Sequence, residues 1–455
     1  MKMVKNIMKA VLLLLLFFVV SPVYGQTVLE EINGDIYKSG GVYYHYVYDA
    51  PEQTPAPQGY EPFYISHYGR HGSRWLSRET DYSKVMDMFD SAAEAGILTP
   101  FGEDVYLRVK AIYEDAAGRA GALTPLGTRQ HKEIAGRMIA SFPQVFEDNA
   151  RINASSTTYP RCILSMAAFC ESLKEQNPSL QIERSSDLRT TRILNCYHNE
   201  ANPELSDDFK HFVKKGKWRD DYREMAPGYV RPGRLMGRLF SDPSFFTQQQ
   251  AIDLVHGLYR FAVNVQSTEL QGKVSLWDLF TAEELYFQNI YDNYYFYVLD
   301  GPSSINKGAS EYYARILLED IIMRADEAVS GGGVSADLRF GHDTSIMPLL
   351  TLLQFKEFDF GIEGKDTDPA AVAEAWSVFR LTPMATNVQF IFYRPESGAS
   401  GNDGSEVLVK VMHNEHEMHL PVREYSWPYY RWSDVEDFYL SYIATLSYPA
   451  DGIGN

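Results

Sequence analysis

Phe63-Tyr64-Ile65-Ser66, followed closely by Arg70-His71-Gly72-Ser73-Arg74, decides how the rest of this 455-residue chain is read. The first run is aromatic and β-branched, as a buried strand requires. The second sets two arginines around a histidine and a glycine just beyond that strand. A guanidinium group donates paired hydrogen bonds to an oxyanion and stays charged at any ordinary pH. Glycine lets the backbone come close to such an anion. A solvated basic loop would look the same in isolation, so the decision passes to other segments.

Three of them point the same way. Ser155-Ser156-Thr157-Thr158-Tyr159-Pro160-Arg161-Cys162-Ile163-Leu164 reads as a strand end running into an apolar-periodic helix, which aims Arg161 at the same crevice. Leu123-Thr124-Pro125-Leu126-Gly127, with Gln130, reads as a helix start with Thr124 as N-cap and Pro125 at the first helical position. Ala336-Asp337-Leu338-Arg339-Phe340-Gly341 ends a second strand-like run in His342-Asp343-Thr344. In an open α/β sheet the carboxyl ends of strands converge on one crevice. His71 and His342 are therefore predicted to face each other.

These four segments, in this order over roughly residues 63 to 345, resemble the histidine acid phosphatases. That is the exported branch of the histidine phosphatase superfamily, which includes phytases and the multiple inositol polyphosphate phosphatases. The resemblance implies an α/β fold: a central, mostly parallel sheet flanked by helices, with an inserted, mainly helical cap. It implies that His71 is the nucleophile and carries a phosphohistidine intermediate. Arg70, Arg74, Arg161 and His342 would bind the phosphoryl oxygens. Asp343 would protonate the leaving alcohol and then help activate the hydrolytic water. No metal or cofactor is implied. Many members carry proline two residues after the second arginine, where this chain has Leu76; that puts the rigidity of the loop or the pocket wall in question. Inositol polyphosphate phosphatases often show His-Ala-Glu where this chain has His342-Asp343-Thr344, so the substrate stays open between a general phosphomonoester and an inositol polyphosphate.

The chemistry makes sense without the name. Phosphoryl transfer depends on in-line positioning and charge stabilisation, which three guanidinium groups supply. Covalent capture divides one hard displacement into two easier ones. Positioned proton donation to the leaving oxygen adds ~10²–10⁴-fold. A cationic pocket keeps His71 neutral to low pH, while Asp343 must be protonated to act as an acid; an acidic optimum is expected. A non-catalytic binder of phosphorylated ligands is the rival of another class, but it would need neither a nucleophile nor an acid.

Composition fits an exported enzyme. Lys2, Lys5 and Lys9, the apolar run Ala10 to Val20 and Ser21-Pro22-Val23-Tyr24-Gly25 read as a signal peptide of residues 1–25 in bacterial style, too short for a stable membrane span. Periplasmic or extracellular location follows as an expectation. The net charge of −18 argues against a nucleic-acid partner, though not against a local arginine cluster. Three cysteines, Cys162, Cys170 and Cys196, exclude a disulfide scaffold. Cys162 and Cys170 are eight apart on one predicted helix and cannot join each other; a bridge to Cys196 stays open.

The α/β core is assigned to residues 26–199 and 311–455, with 26–60 as loops, and the cap to 200–310. A capping box, Thr281 with Glu284, starts a helix in the cap. A helix over Glu311–Ala325 and another from Asp368-Pro369 are predicted, and Val388–Tyr393 and Glu406–Met412 alternate as a hairpin pair. His413, His416 and His419 tempt a metal assignment, but HExxH is absent and the segment reads as an exposed hairpin turn. Gly331-Gly332-Gly333 lacks a following Gly-Lys-Ser/Thr and reads as a connector. Lys210, Lys214, Lys215, Lys217, Arg219, Arg223, Arg231, Arg234 and Arg238 form either a polyanion-receiving face or a solvated face paired with Asp207, Asp208, Asp220 and Asp221.

Overall fold

The computed structural model describes residues 27–195, 197, 201–202, 204–358, 362, 364, 366–396 and 406–453. The predicted signal peptide and Cys196 lie outside the described residues, as does most of the turn between the hairpin strands.

Eight described strands form one mixed sheet: β1 (Tyr60–Arg70), β2 (Arg151–Ser156), β3 (Gln181–Ser185), β4 (Ala336–Gly341), β5 (Asn387–Pro395), β6 (Leu408–His413), β7 (His416–Glu417) and β8 (Tyr430–Arg431). Their order is β3-β2-β4-β1-β5-β6-β7, with β8 paired to β6. From β3 to β1 the strands run parallel. From β5 onward the pairing is antiparallel. The helices that matter for the site are α1 (Val28–Gly34), α2 (Pro125–Ser141), α3 (Pro160–Gln176), α4 (Gln248–Val265), α5 (Ala282–Asp300), α6 (Ala309–Val329), α7 (Asp343–Leu353) and α8 (Trp432–Thr445).

Strand periodicity divides the core into two layers. Ile65, Leu338, Phe340 and Ile391 point to one face, where Ile134 and Met138 of α2 and Phe169 and Leu173 of α3 cover them. Tyr64, Phe392 and Val411 point to the other, against Leu317 and Ile321 of α6 and Tyr439 of α8. Each such aliphatic side chain is worth ~1.5–3 kcal/mol when fully buried. The second layer also holds paired polar groups. Asp337 accepts from Tyr64 Oη at 2.8 Å and Asn153 Nδ2 at 3.1 Å. Arg339 pairs with Asp320 at 2.7 Å and donates to Ser66 at 2.9 Å.

The predicted helix starts are in place. Thr124 caps α2 with Pro125 at its first turn, and Thr281 and Glu284 form a reciprocal capping box on α5. Between β3 and β4 the described chain is helical, α4 and α5 included, and its apolar residues join the same buried cluster as Tyr64.

Two expectations need correction. Residues 26–60 are not merely loops: Thr27 and Glu30 make a capping box that starts α1, and Ile36–Tyr43 is 3₁₀-helical. The sequence Thr-x-x-Glu carried that signal. The three histidines do not share one exposed turn either. His413 is buried, with Nε2 donating to the Leu381 carbonyl at 2.8 Å. His416 faces Asp49, and His419 faces Glu357 while stacking on Trp427.

The basic cluster is largely paired. Lys210 meets Asp207, Lys217 meets Asp221 and Arg223 meets Asp220. Arg231 and Arg234 turn to Glu283 and Glu284. Asp208 accepts from Tyr448.

Candidate active site

Register brings the two histidines together. β1 and β4 are parallel neighbours with Arg70 opposite Gly341, so His71 and His342 leave the sheet side by side. The His71 amide donates to the Gly341 carbonyl at 3.0 Å, and the two rings lie 5.7 Å apart, edge to face. β2 flanks β4 on its other side and leads into α3. Arg161, in the first turn of α3, reaches in until Nη2 lies 3.5 Å from His342 Nδ1. Arg74 closes the ring of cations, with its guanidinium over the Tyr43 ring at 5.2 Å. Thus all six residues predicted for the site come together, largely buried, at the sheet's carboxyl edge.

The loop carrying His71 is braced by α2. Ser73 N–H donates to Gln130 Oε1 at 2.9 Å, and Thr124 Oγ1 donates to the Ser73 carbonyl at 3.0 Å. Gly72 and Gly127 pack backbone to backbone: a Cβ on Gly72 would lie 2.4 Å from the Gly127 carbonyl oxygen. Gly72→Ala is therefore expected to cost ~1–3 kcal/mol of stability through overpacking and to lower activity beyond that by shifting His71. A denaturant midpoint and a kcat equal to wild type would refute this.

Leu76, the departure from the family pattern, has a physical reason here. Its N–H, which proline would lack, donates to Tyr82 Oη at 2.8 Å. Tyr82 Oη donates in turn to Asn264 Oδ1 at 3.3 Å, and Asn264 Nδ2 holds the Arg74 carbonyl at 3.0 Å. A hydrogen-bonded brace from α4 replaces the ring.

Arg70 is fully buried and anchored through both of its terminal nitrogens. Nη1 donates to the carbonyls of Val42 at 2.9 Å and Thr382 at 2.6 Å, and Nη2 to Asp343 Oδ2 at 2.8 Å. The Nε atoms of Arg70, Arg74 and Arg161 are each buried without a partner. Leaving three buried cationic donors unanswered is costly unless an anion answers them.

His71 is poised by its neighbours. Nδ1 lies 2.9 Å from the Gly72 carbonyl, which can only accept, so Nδ1 carries the hydrogen and Nε2 keeps its lone pair. Burial, then Arg161, Arg70 and Arg74, hold the imidazole well below its usual pKa, so it is neutral even in acid. His342 is pushed down to about 3 by burial and by Arg161. Burial alone would raise Asp343; Arg70, Arg74, His342 and Arg161 overcome this and bring it to about 2. The free site therefore differs from the sequence expectation in one respect: Asp343 is ionised there at any mildly acidic pH.

Val42, Tyr43, Thr382 and Thr157 were not anticipated. Val42 and Thr382 act through main-chain carbonyls, which leave no mark in a sequence. Thr157 is fully buried with Oγ1 3.0 Å from His342 Nε2.

The profile of the histidine phosphatase superfamily (branch 2) matches residues 69–414, and the chain belongs to that family. Among individual proteins, it is 27% identical over 330 residues to multiple inositol polyphosphate phosphatase 1 of Gallus gallus, covering 67% of this chain and 66% of that protein. The fold is that of the multiple inositol polyphosphate phosphatase of Bifidobacterium longum, solved with inositol hexasulfate: TM-score 0.70, 19% identity, 91% of this chain and 99% of the other. The phytase of D. castellii aligns with a TM-score of 0.63 at 16% identity, covering 96% of this chain and 91% of that one.

Proposed function

We propose that this chain is a metal-independent phosphomonoesterase working through a phosphohistidine. One observation carries the proposal: the His71 Nε2 lone pair lies among three arginines whose buried Nε–H groups have no acceptor. A phosphate monoester would supply those acceptors. His71 Nε2 attacks phosphorus, the bond from phosphorus to the ester oxygen breaks, and Asp343 gives its proton to the departing alkoxide. Asp343 then takes a proton from water; the resulting hydroxide attacks phosphorus, the P–N bond breaks, and phosphate leaves. Arg70, Arg74, Arg161 and His342 hold the phosphoryl oxygens throughout.

The bound phosphate offsets the arginine charges that depress Asp343, so its pKa rises in the complex. The proton it needs arrives most readily in acid, where a phosphate ester still holds one of its own. We expect kcat/KM to be highest in acid and to fall at least tenfold per pH unit above about pH 6, the second ionisation of such esters. A profile that climbs above pH 8 would refute this.

Inositol polyphosphates are the favoured substrate class, supported by the likeness to the chicken inositol polyphosphate phosphatase; a general acid phosphatase is the alternative. Helices of residues 200–310 would act as the cap over the pocket, and export would be directed by residues 1–25. Phosphate release from p-nitrophenyl phosphate and from phytate, each with EDTA, tests the proposal. Release by wild type supports it, and the ratio of the two rates chooses the substrate class. No release from either across pH 3–7 would favour a non-catalytic phosphate binder.

A further inference from the structure

His342 has two ring nitrogens, and only one of them faces the pocket. Nε2 points inward, 3.0 Å from the buried Thr157 hydroxyl and 3.7 Å from Cys162 Sγ. Nδ1 faces the cations, 3.5 Å from Arg161 Nη2. A guanidinium has donors and no lone pair, so the hydrogen of a neutral His342 belongs on Nε2, given to Thr157, and the Nδ1 lone pair points into the pocket. Thr157 is free to accept it. Its own hydrogen turns toward Cys162, and the Cys162 thiol donates to the Gly341 carbonyl at 3.3 Å. His342, Thr157 and Cys162 are all buried, so a proton enters or leaves this ring from the pocket side, at Nδ1.

Resting on the phosphomonoesterase proposal, we infer that His342 Nδ1 is a proton-accepting subsite, held in that role by Thr157, which makes the pocket select phosphate that carries a proton. A monoanionic phosphate brings a P–OH hydrogen to Nδ1. Whether it stays on oxygen or crosses to nitrogen, leaving imidazolium beside a dianion, the complex holds the same number of protons as its separated parts. An oxyanion without a proton, such as sulfate, meets the Nδ1 lone pair instead. It binds well only if the ring first takes a proton from solvent.

The other groups facing His342 do not supply this function. Arg70, Arg74 and Arg161 are fixed cations, and the His71 and Tyr159 rings stand steeply inclined to the His342 ring, 5.7 and 4.8 Å away between centres. Burial raises the Cys162 thiol to about 11, so it stays neutral. Asp343 and His71, the latter through its own Nε2 lone pair, are the competing proton acceptors. The first is removed in the test below, and the second is told apart because only uptake at His342 depends on Thr157.

In Asp343→Asn protein, binding of inorganic phosphate and of sulfate is measured by calorimetry from pH 4.5 to 6.5. Sulfate affinity is expected to fall about tenfold per pH unit, the signature of one proton taken up. Phosphate affinity should stay level across this range, which lies below the second ionisation of inorganic phosphate. Adding Thr157→Val leaves a buried imidazolium N–H unpaired, worth ~1–3 kcal/mol or roughly 10–100-fold in phosphate affinity, and should flatten the sulfate slope. Thr157→Ser should restore both.

Nitrogen NMR of wild type with phosphate gives an independent reading, with the His342 signal assigned by His342→Ala. Nε2 is expected to stay protonated on binding. A ligand-bound ring that has lost the Nε2 hydrogen, or sulfate binding that ignores pH with Thr157 intact, overturns the inference. Hydrolysis of p-nitrophenyl phosphate by wild type distinguishes these failures from failure of the phosphomonoesterase proposal itself.

Discussion

His71→Ala is expected to abolish turnover of every phosphomonoester, by at least ~10⁴-fold, while leaving the fold and phosphate binding in place. Removal of a covalent nucleophile in comparable machinery costs ~10⁶-fold in kcat. Nothing else in this pocket replaces it: Nε2 of His71 has its lone pair free because Nδ1 is tied to the Gly72 carbonyl. The ring contributes little to binding in the ground state, since it stays neutral beside the arginines. Inorganic phosphate should therefore bind to the alanine variant within about tenfold of wild type. The direct measurement is acid-quenched labelling with a phosphorus-32 ester: label should be retained by wild type and absent from the variant. Equal labelling of the two would move the covalent step to another residue.

Arg70→Ala is expected to cause the largest combined loss, ~3–5 kcal/mol of stability and at least 10³-fold in kcat/KM. Truncation removes the donor for two buried carbonyls and takes from Asp343 its ion-pair partner. Asp343 then rises from about 2, because Arg70 is the foremost of the charges holding it down. The sign of the pH dependence follows. A carboxylate with a depressed folded pKa stabilises the fold above the unfolded value, ~3.9, and loses that contribution as pH falls through the folded one. The gap between wild type and variant in urea unfolding should be full above about pH 4 and narrow toward pH 2. Arg70→Lys keeps the charge but loses the fork that reaches Val42 and Thr382, so it should recover only part of either loss. A gap that does not change with pH would mean that the Asp343 pair is not its source.

Much of this was legible in the sequence because the site is built from side chains at strand ends. His71 and His342 announce themselves by following apolar strand-like runs, and Thr124-Pro125 and Thr281 mark their helix starts by residue type. The antiparallel hairpin of β5 and β6 also follows from alternation. What was hidden falls into two kinds. Val42 and Thr382 serve Arg70 through backbone oxygens, which any residue would supply. β3 is an exposed edge strand, Gln181-Ile182-Glu183-Arg184-Ser185, whose charged residues gave it no apolar signature. His413 was misplaced for a related reason: it ends β6 and turns inward to a carbonyl of a segment distant in sequence.

The three-way anchoring of Arg70 bears on when the protein can first work. Val42 precedes Arg70 by 28 residues and Thr382 follows it by 312. Asp343, its third partner, is 273 residues away. Contacts so distant along the chain are slow to form, because a long loop must close before they repay its entropy. A ribosome-bound fragment ending before Thr382 can hold His71, Arg74 and Arg161 and still lack an oriented Arg70. Catalytic competence should thus be acquired late, as the strand after Thr382 docks beside β1. In refolding, recovery of activity should coincide with the final burial of that strand rather than with the earlier gain of helix.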